Sequence, residues 1–551
     1  MGRRAVSVPL VAVLAGLAVG APAQAADDVQ TLTRDGIVLQ HHRVAKATTP
    51  VRGTGGTRSD FDGDGIDDVA AMGDPSNMHL PHYPTGVVVV RYSSAPQVDY
   101  YFGVLSGDGG CGCFGLALAA GDFNGDRYDD LAIGDSDEVD AGNKSHAGGV
   151  WVVPGSSSGL VFSSAKHFNQ SSAGVPGAAE NQDRFGGTLA AGDINGDGRE
   201  DLAVGAWGEA IGTKTEAGSV TVLYGGSTGL TATGAQFLQQ DQAGVPGAAE
   251  RNDKFGFSLA IGKVNNNRYN DLVIGAPFEN DGASWNGTGM VTLMWGSPTG
   301  VSSAGATAVT GAGILGSIGQ AGTYAWYLGE TLAIGDVNGD GLGEVVAGAP
   351  SAQTPHIYGG LVAVFTGRTA GLSAGAVRVV TQRTAGVPGE PEDNDRFGAS
   401  LATGDVTGDG RADVLVGSPG EEVGPTDEGG VITLLKGSAS GITGSGAQAF
   451  DQNHPNIPGS VERGDKFGAS VAVLNLNGTG PLDAVVASTG EEVAGDPAGY
   501  PSGSIVPFHG STGGIVPQFV SWSGASLRTD RVWPQRYGLR IAGPQSGGGI
   551  Y

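Results

Sequence analysis

Apolar residues along this chain come in short runs and follow no 3.6-residue period. DLAIGD, DLAVGA, DLVIGAP, EVVAGAP, DVLVGSP and DAVVAS form one set, rich in β-branched residues and bounded by glycine or other small residues. GGVWVV, GSVTVLYGG, GMVTLMWG, GGLVAVFTG, GGVITLLKG and GSIVPFHG form a second set further along. FGLALAAGD and its relatives precede the first set, and a fourth piece such as AQFLQQ or AQAFDQ follows the second. Runs of this length and composition predict strands, four to a unit.

Between the first two strands of each unit lies an acidic stretch that recurs every 62 to 73 residues. The copies are DFDGDGIDD (60–68), DFNGDRYDD (122–130), DINGDGRED (193–201), KVNNNRYND (263–271), DVNGDGLGE (336–344), DVTGDGRAD (405–413) and NLNGTGPLD (475–483). Eight residues before copies two to seven stand Phe114, Phe185, Phe255, Leu328, Phe397 and Phe467, each followed by glycine. A four-stranded unit cannot bury both faces alone, so the copies must stack. The predicted fold is therefore all-β: a seven-bladed β-propeller of four-stranded antiparallel blades. The aromatic residues should plug the gaps between neighbouring blades. The first unit lacks an FG strand. RYGLRIAGPQ near the C-terminus mimics one, so 537–543 is expected to close the ring, with the N-terminal GIVLQHHRV as the competing candidate.

Glycine makes up 100 of 551 residues, and its periodicity removes the low-complexity reading. The formal charge of −26 argues against nucleic-acid partners, whose binding rests on phosphate neutralisation. MGRR, an apolar run and APAQA read as a secretory signal cleaved after Ala25. No later stretch has the length of a membrane span. The expected organisation is a signal at 1–25, an N-terminal segment at 26–50, the propeller at 51–524 and a closing segment at 525–551. Cys111 and Cys113 suit either a small-ring disulfide or two thiols.

A hard cation takes six to eight oxygens from a flexible loop. Positions 1, 3, 5 and 9 of the acidic stretch can supply them from side chains, and glycine at position 6 permits the turn. Position 12 falls inside a strand (Ala71, Ile133, Val204), which excludes an EF-hand. Five loops are candidate calcium sites. Their ligands are Asp60, Asp62, Asp64 and Asp68; Asp122, Asn124, Asp126 and Asp130; Asp193, Asn195, Asp197 and Asp201; Asp336, Asn338, Asp340 and Glu344; and Asp405, Thr407, Asp409 and Asp413. Asp67 is expected to face solvent, and Arg127 at position 6 weakens the second loop. Loop four (Lys263, Asn265, Asn267, Asp271) and loop seven (Asn475, Asn477, Thr479, Asp483) are expected to be empty, with the Lys263 ammonium partly replacing an ion.

These FG pairs, GAP-like strand ends and D-x-[DN]-x-D-G-x-x-D loops resemble the FG-GAP repeats of integrin α-chain propellers. They are also similar to the propeller of glycosylphosphatidylinositol-specific phospholipase D. The resemblance implies a calcium-stabilised propeller that binds or adheres to an extracellular protein or glycan; the charge and the lack of a long apolar stretch lead us to expect neither nucleic acid nor a membrane span, and a monomer is expected. A secreted hydrolase acting on cell-surface glycan or lipid-anchor material is the alternative. Glu209, Glu279, Glu421-Glu422 and Glu491-Glu492 are its only repeated acids, and their recurrence reads as structural. GSSSG (155–159) matches a nucleophile elbow but occupies a turn repeated in every unit. Arg463 to Asp465 spell an adhesive tripeptide inside the repeated E-x-x-D-x-F-G framework. The nine histidines show no zinc spacing and read as lone surface residues.

Overall fold

The computed structural model describes residues 30–34, 37–43, 58–75, 84–93, 98–104, 113–280, 287–317, 327–352, 359–494, 496, 499–527, 534–543 and 545–546. The expected signal, about half of the N-terminal segment and Cys111 lie outside them. The expected strands close into seven antiparallel blades, a seven-bladed β-propeller. Blade two is typical, with Phe114–Gly121, Asp130–Asp135, Gly149–Val153 and Lys166–Phe168 paired in chain order. The first strands of successive blades touch around the axis, so each blade runs from the axis outward. Second strands such as Asp201–Ala206 are buried at every residue, because neighbouring blades cover both faces. That is why they read as continuous apolar runs rather than as alternation.

Seven apolar clusters fill the seven gaps between blades. Phe114, Phe185, Phe255, Phe397 and Phe467 are wholly buried in them, and Leu328 takes the same place between blades four and five. The glycine after each aromatic has a positive φ, from +83° at Gly186 to +96° at Gly398, where a side chain would be strained. It also meets the glycine of the GAP-like strand in the preceding blade. A Cβ on Gly134 would stand 2.0 Å from the carbonyl oxygen of Gly186, and one on Gly417 would stand 2.1 Å from that of Gly468. The two halves of the motif are thus one close contact between adjacent blades.

The ring closes in blade one, through the C-terminal candidate. Pro534–Ile541 pairs with Val69–Pro75 on the axial side, with Ala71 opposite Ile541. Tyr537 is wholly buried between blades seven and one, in the aromatic's place, and its N–H reaches Ser502 O at 2.9 Å as Phe185 N–H reaches Ala147 O at 2.9 Å. The competing N-terminal segment joins the same sheet at its outer edge: Ile37–Arg43 pairs with Val98–Val104, and Gln30–Arg34 lies beyond it. A two-pronged contact from the Arg43 guanidinium to buried Asp99, 2.6 Å on each side, ties it down. Past the closing strand, Gln545–Ser546 pairs with Leu189–Ala190 on the inner edge of blade three. The Arg58 guanidinium reaches Thr403 O at 3.0 Å and Val473 O at 3.1 Å on the innermost strands of blades six and seven. The chain thus places its own residues along the axis from two directions.

Candidate metal centres

Six acidic loops join the first and second strands of their blades, and loop one leads into the second strand of blade one, whose first strand comes from the C-terminus, so all seven lie on one face of the ring. In loop one, Asp60 Oδ1 accepts the N–H groups of Gly63 (2.6 Å) and Asp64 (3.1 Å), and Oδ2 accepts that of Gly65 (2.8 Å). Asp122, Asp193, Asp336 and Asp405 are held by the same three donors of their own loops. Position 1 therefore folds the loop onto itself. Arg127 keeps this arrangement by adopting φ +78°, where Gly65 has +87°, so the departure in loop two costs backbone strain rather than the hydrogen bond. Loop seven retains one of the three contacts, Gly478 N–H to Asn475 Oδ1 at 2.9 Å. Lys263 in loop four has no acceptor to offer.

Position 9 behaves differently. Asp68 accepts Phe61 N–H (2.9 Å) and Ser93 N–H (2.7 Å), the latter from the far end of the blade's third strand. Asp271 in loop four accepts Val264 N–H (3.1 Å) and Gly296 N–H (3.0 Å), and Asp483 in loop seven accepts Leu476 N–H (2.9 Å) and Gly510 N–H (3.0 Å). This carboxylate is thus a structural fastener in the loops expected to be empty as well as in the others. Lys263 is exposed, and the group that faces Asp271 Oδ1 is Asn265 Nδ2 at 3.2 Å, not the ammonium.

A closed belt of backbone hydrogen bonds links the loops. The position-8 N–H of each loop donates to the position-1 carbonyl of the loop before it: 129 to 60, 200 to 122, 270 to 193, 343 to 263, 412 to 336, 482 to 405 and finally 67 to 475, at 2.6 to 3.0 Å. Asp67 consequently does not face solvent. It is 2% exposed, and its carboxylate accepts the N–H groups of Arg58 (2.8 Å), Ser59 (3.0 Å) and Asn475 (2.7 Å), sealing blade one to blade seven.

The donor set fits a hard divalent cation. Asp60, Asp62 and Asp68 are all buried, with carboxylate oxygens within 4.8 Å of one another, and Asp64 is steadied by Ser93 Oγ at 2.7 Å. In loops two, three, five and six the acids stand wider apart. Burial first, and the neighbouring Asp64 and Asp62 carboxylates second, push Asp60 up to about 6. Burial likewise raises Asp201 and Glu344 to about 7, and Asp68 and Asp130 well above the usual carboxylate range. Buried, like-charged oxygens of this kind are relieved by a cation.

The other sequence candidates fall to structural roles. Ser156 Oγ caps the GSSSG turn at Gly159 O (2.8 Å), as Ser297, Ser438 and Ser511 cap theirs, and no hydrogen bond joins Ser157 to a base among the described residues. Arg463 is exposed, but Asp465 is 1% exposed and accepts Glu462 N–H at 2.5 Å, so the tripeptide is not presented as a unit. His41, His42 and His167 are buried, contrary to the surface reading. His41 stacks on Phe162 at 4.9 Å, and His167 Nε2 meets Glu138 Oε2 at 2.9 Å. His79 and His82 lie outside the described residues.

Spacing alone did not reveal what the post-GAP acids do. Glu209, Glu279, Glu421 and Glu491 each receive the amide of a glutamine from the preceding blade (Gln170, Gln240, Gln382, Gln452). Glu250, Asp253 and Glu279 gather their oxygens within 4.8 Å, as do Glu392, Asp395 and Glu421. Burial, then Asp395, raises Glu421 to about 8, and burial raises Asp395 to about 7. The recurrence of E-x-x-D-x-F-G together with a glutamate after each GAP-like strand was the available signal.

A nearly all-sheet propeller with interlocking FG and GAP glycines defines the class. The FG-GAP repeat model matches residues 114–153, 185–223, 328–365 and 397–434, so the chain carries FG-GAP repeats in four places and is similar there to integrin α propellers. It is 31% identical over 237 residues to phosphatidylinositol-glycan-specific phospholipase D of Rattus norvegicus, covering 43% of this chain and 26% of that protein. It is 32% identical over 224 residues to integrin alpha-PS2 of Drosophila melanogaster, covering 39% of this chain and 14% of that protein. Integrin alpha pat-2 of Caenorhabditis briggsae is 35% identical over 225 residues, covering 39% of this chain and 17% of that protein. The match thus spans about a quarter or less of these relatives' length. Among the described residues, no helix is long and apolar enough to cross a membrane.

Proposed function

We propose that the chain is a secreted, calcium-binding β-propeller serving as an extracellular binding or adhesion module toward a protein or glycan. Five calcium ions would sit in the loops at 60–68, 122–130, 193–201, 336–344 and 405–413, with a structural role. The observation that carries this reading is the position-1 aspartate, held by three N–H donors in these five loops and in neither of the other two. Integrin α relatives support the binding role, and the leader-like N-terminus supports export. Metal analysis of the purified protein after dialysis against calcium should find close to five ions. Crosslinking the loaded protein to intact cell surfaces should capture a protein or glycan, and chelation should weaken that capture. Absence of bound metal together with unchanged capture would overturn the reading.

The match to a phosphatidylinositol-glycan-specific phospholipase D favours a second reading, a secreted hydrolase. Its acids would have to come from Glu209, Glu279, Glu421 or Glu491, each held by a glutamine at a different blade junction. Turnover of a phosphatidylinositol-glycan substrate by the purified chain would decide for it.

A further inference from the structure

We propose that the propeller carries a second set of divalent-cation sites, at blade junctions on the face opposite the nine-residue loops, with Gln382, Glu392, Asp395 and Glu421 as donors of the best-formed one. Gln382 follows the outer strand of blade five, Glu392 and Asp395 precede the first strand of blade six, and Glu421 follows its second strand. All four therefore sit at the end of the blade remote from loop 405–413.

The carboxylate oxygens of Glu392, Asp395 and Glu421 come within 4.8 Å of one another, with Asp395 and Glu421 buried and Glu392 at the open side. Asp395 spends only one oxygen: Oδ2 accepts Glu392 N–H at 2.6 Å, while Oδ1 is buried without a hydrogen-bond partner. Independently, Gln382 is 6% exposed and lends Nε2 to Glu421 Oε2 at 2.6 Å, which leaves its own Oε1 buried and without a partner. That oxygen lies beside Asp395: a Cβ on Gly359 would stand 2.8 Å from Asp395 Oδ2 and 3.2 Å from Gln382 Oε1. Buried acceptors without donors are costly, and two of them within this cluster call for a positive centre. Three carboxylates and an amide oxygen, with no nitrogen or sulfur donor, suit Ca²⁺, Mg²⁺ or Mn²⁺.

The arrangement repeats between blades three and four. Glu250, Asp253 and Glu279 meet within 4.8 Å, and Asp253 Oδ1 and Gln240 Oε1 are again buried without hydrogen-bond partners. Gln170, Glu180, Asp183 and Glu209, and likewise Gln452, Glu462, Asp465 and Glu491, use the same residue types with the acids wider apart. Two further ions per chain are therefore expected.

The test is anomalous diffraction from crystals of the full chain equilibrated with Mn²⁺, paired with calorimetric Mn²⁺ titration of the protein and of its D395N/E421Q variant. Peaks beside Asp395–Glu421 and Asp253–Glu279, and one ion fewer in the variant, are expected. Peaks confined to the nine-residue loops would overturn this inference while leaving the loop sites standing. Peaks at the junctions alone would do the reverse. The diffraction result on the unaltered protein holds even if the variant fails to fold, and a folded variant with unchanged stoichiometry would also overturn the inference.

Discussion

The loops at 60–68 and 263–271 share a buried position-9 aspartate and a place in the same hydrogen-bonded belt. They differ at position 1, where loop one has an aspartate that gathers three N–H groups and loop four has an exposed lysine. The comparison separates two roles that the motif superimposes. Position 9 belongs to the blade, because it joins the first-to-second-strand turn to the end of the third strand. Positions 1, 3 and 5 carry the oxygens by which the proposed ion sites differ from the other loops.

The strongest way to break the comparison is to remove the ion. Ligand binding to the folded state alone stabilises it by about 2.7 kcal/mol per site at a hundredfold excess over Kd, and five loops share the effect. Scanning calorimetry with calcium and then with excess chelator should show a large fall in Tm that added calcium reverses. A D60N/D64N variant should recover less than the parent, whereas K263A should recover fully. An identical response from both would remove the distinction between the loops.

Position 9 supplies the next largest effect, and it should be equal where the first was unequal. Asp68→Ala and Asp271→Ala each orphan two backbone donors, at about 1–3 kcal/mol for each donor left unsatisfied in the interior. Both should lower Tm in chelator. Only Asp68→Ala should also lose a calcium ion. If Asp271→Ala left Tm unchanged, the fastener role of position 9 would be wrong.

How far these roles could be read beforehand depends on the distance between partners along the chain. The strands, the seven copies and the aromatic-glycine pairs follow from short-range pattern, and so do the oxygens at positions 1, 3, 5 and 9. Position 8 could not be read that way. The partner of Asp67 is the backbone of Asn475, 408 residues away, and nothing local separates it from a solvated acid. The glutamine that meets each post-GAP glutamate lies 39 residues upstream in another blade. His41 and His42 look like surface residues until the outer strand they occupy sets His41 against Phe162 of blade two and His42 against Tyr100 on the opposite face.

A gain of function sharpens the comparison with a smaller effect. Lys263→Asp with Asn267→Asp gives loop four the acids of loop three at positions 1, 5 and 9. Asn267 N–H already reaches Asn265 Oδ1 at 2.8 Å, as Asp197 N–H reaches Asn195 Oδ1 at 2.9 Å, but Asn266 and Arg268 lack the positive φ that Gly196 and Gly198 adopt, so the backbone must turn at those two positions. Metal analysis should find one additional calcium per chain, and chelation should cost this variant more than the parent. An unchanged count would mean that position 6, Arg268, blocks the turn.

The last effect concerns a buried acid outside the proposed ion sites. Asp135 ends the second strand of blade two, where the other blades have Ala206, Ala276, Ala349, Ser418 and Ser488. Burial, then Glu138 and Asp137, push its carboxyl up to about 8, against about 3.9 in an unfolded chain. Between those values the folded state holds a proton that the unfolded state has released. By linkage, stability then falls as pH rises from about 4 to about 8. Asp135→Asn keeps the acceptor for Asp137 N–H, now at 3.3 Å, and removes the titration. With calcium saturating throughout, so that the loops contribute equally to both proteins, Tm should drop less between pH 5 and pH 8 in the variant than in the parent. Parallel pH profiles would show that Asp135 is ionised in the folded blade, and that His167, the nearby group that lowers its pKa, outweighs burial.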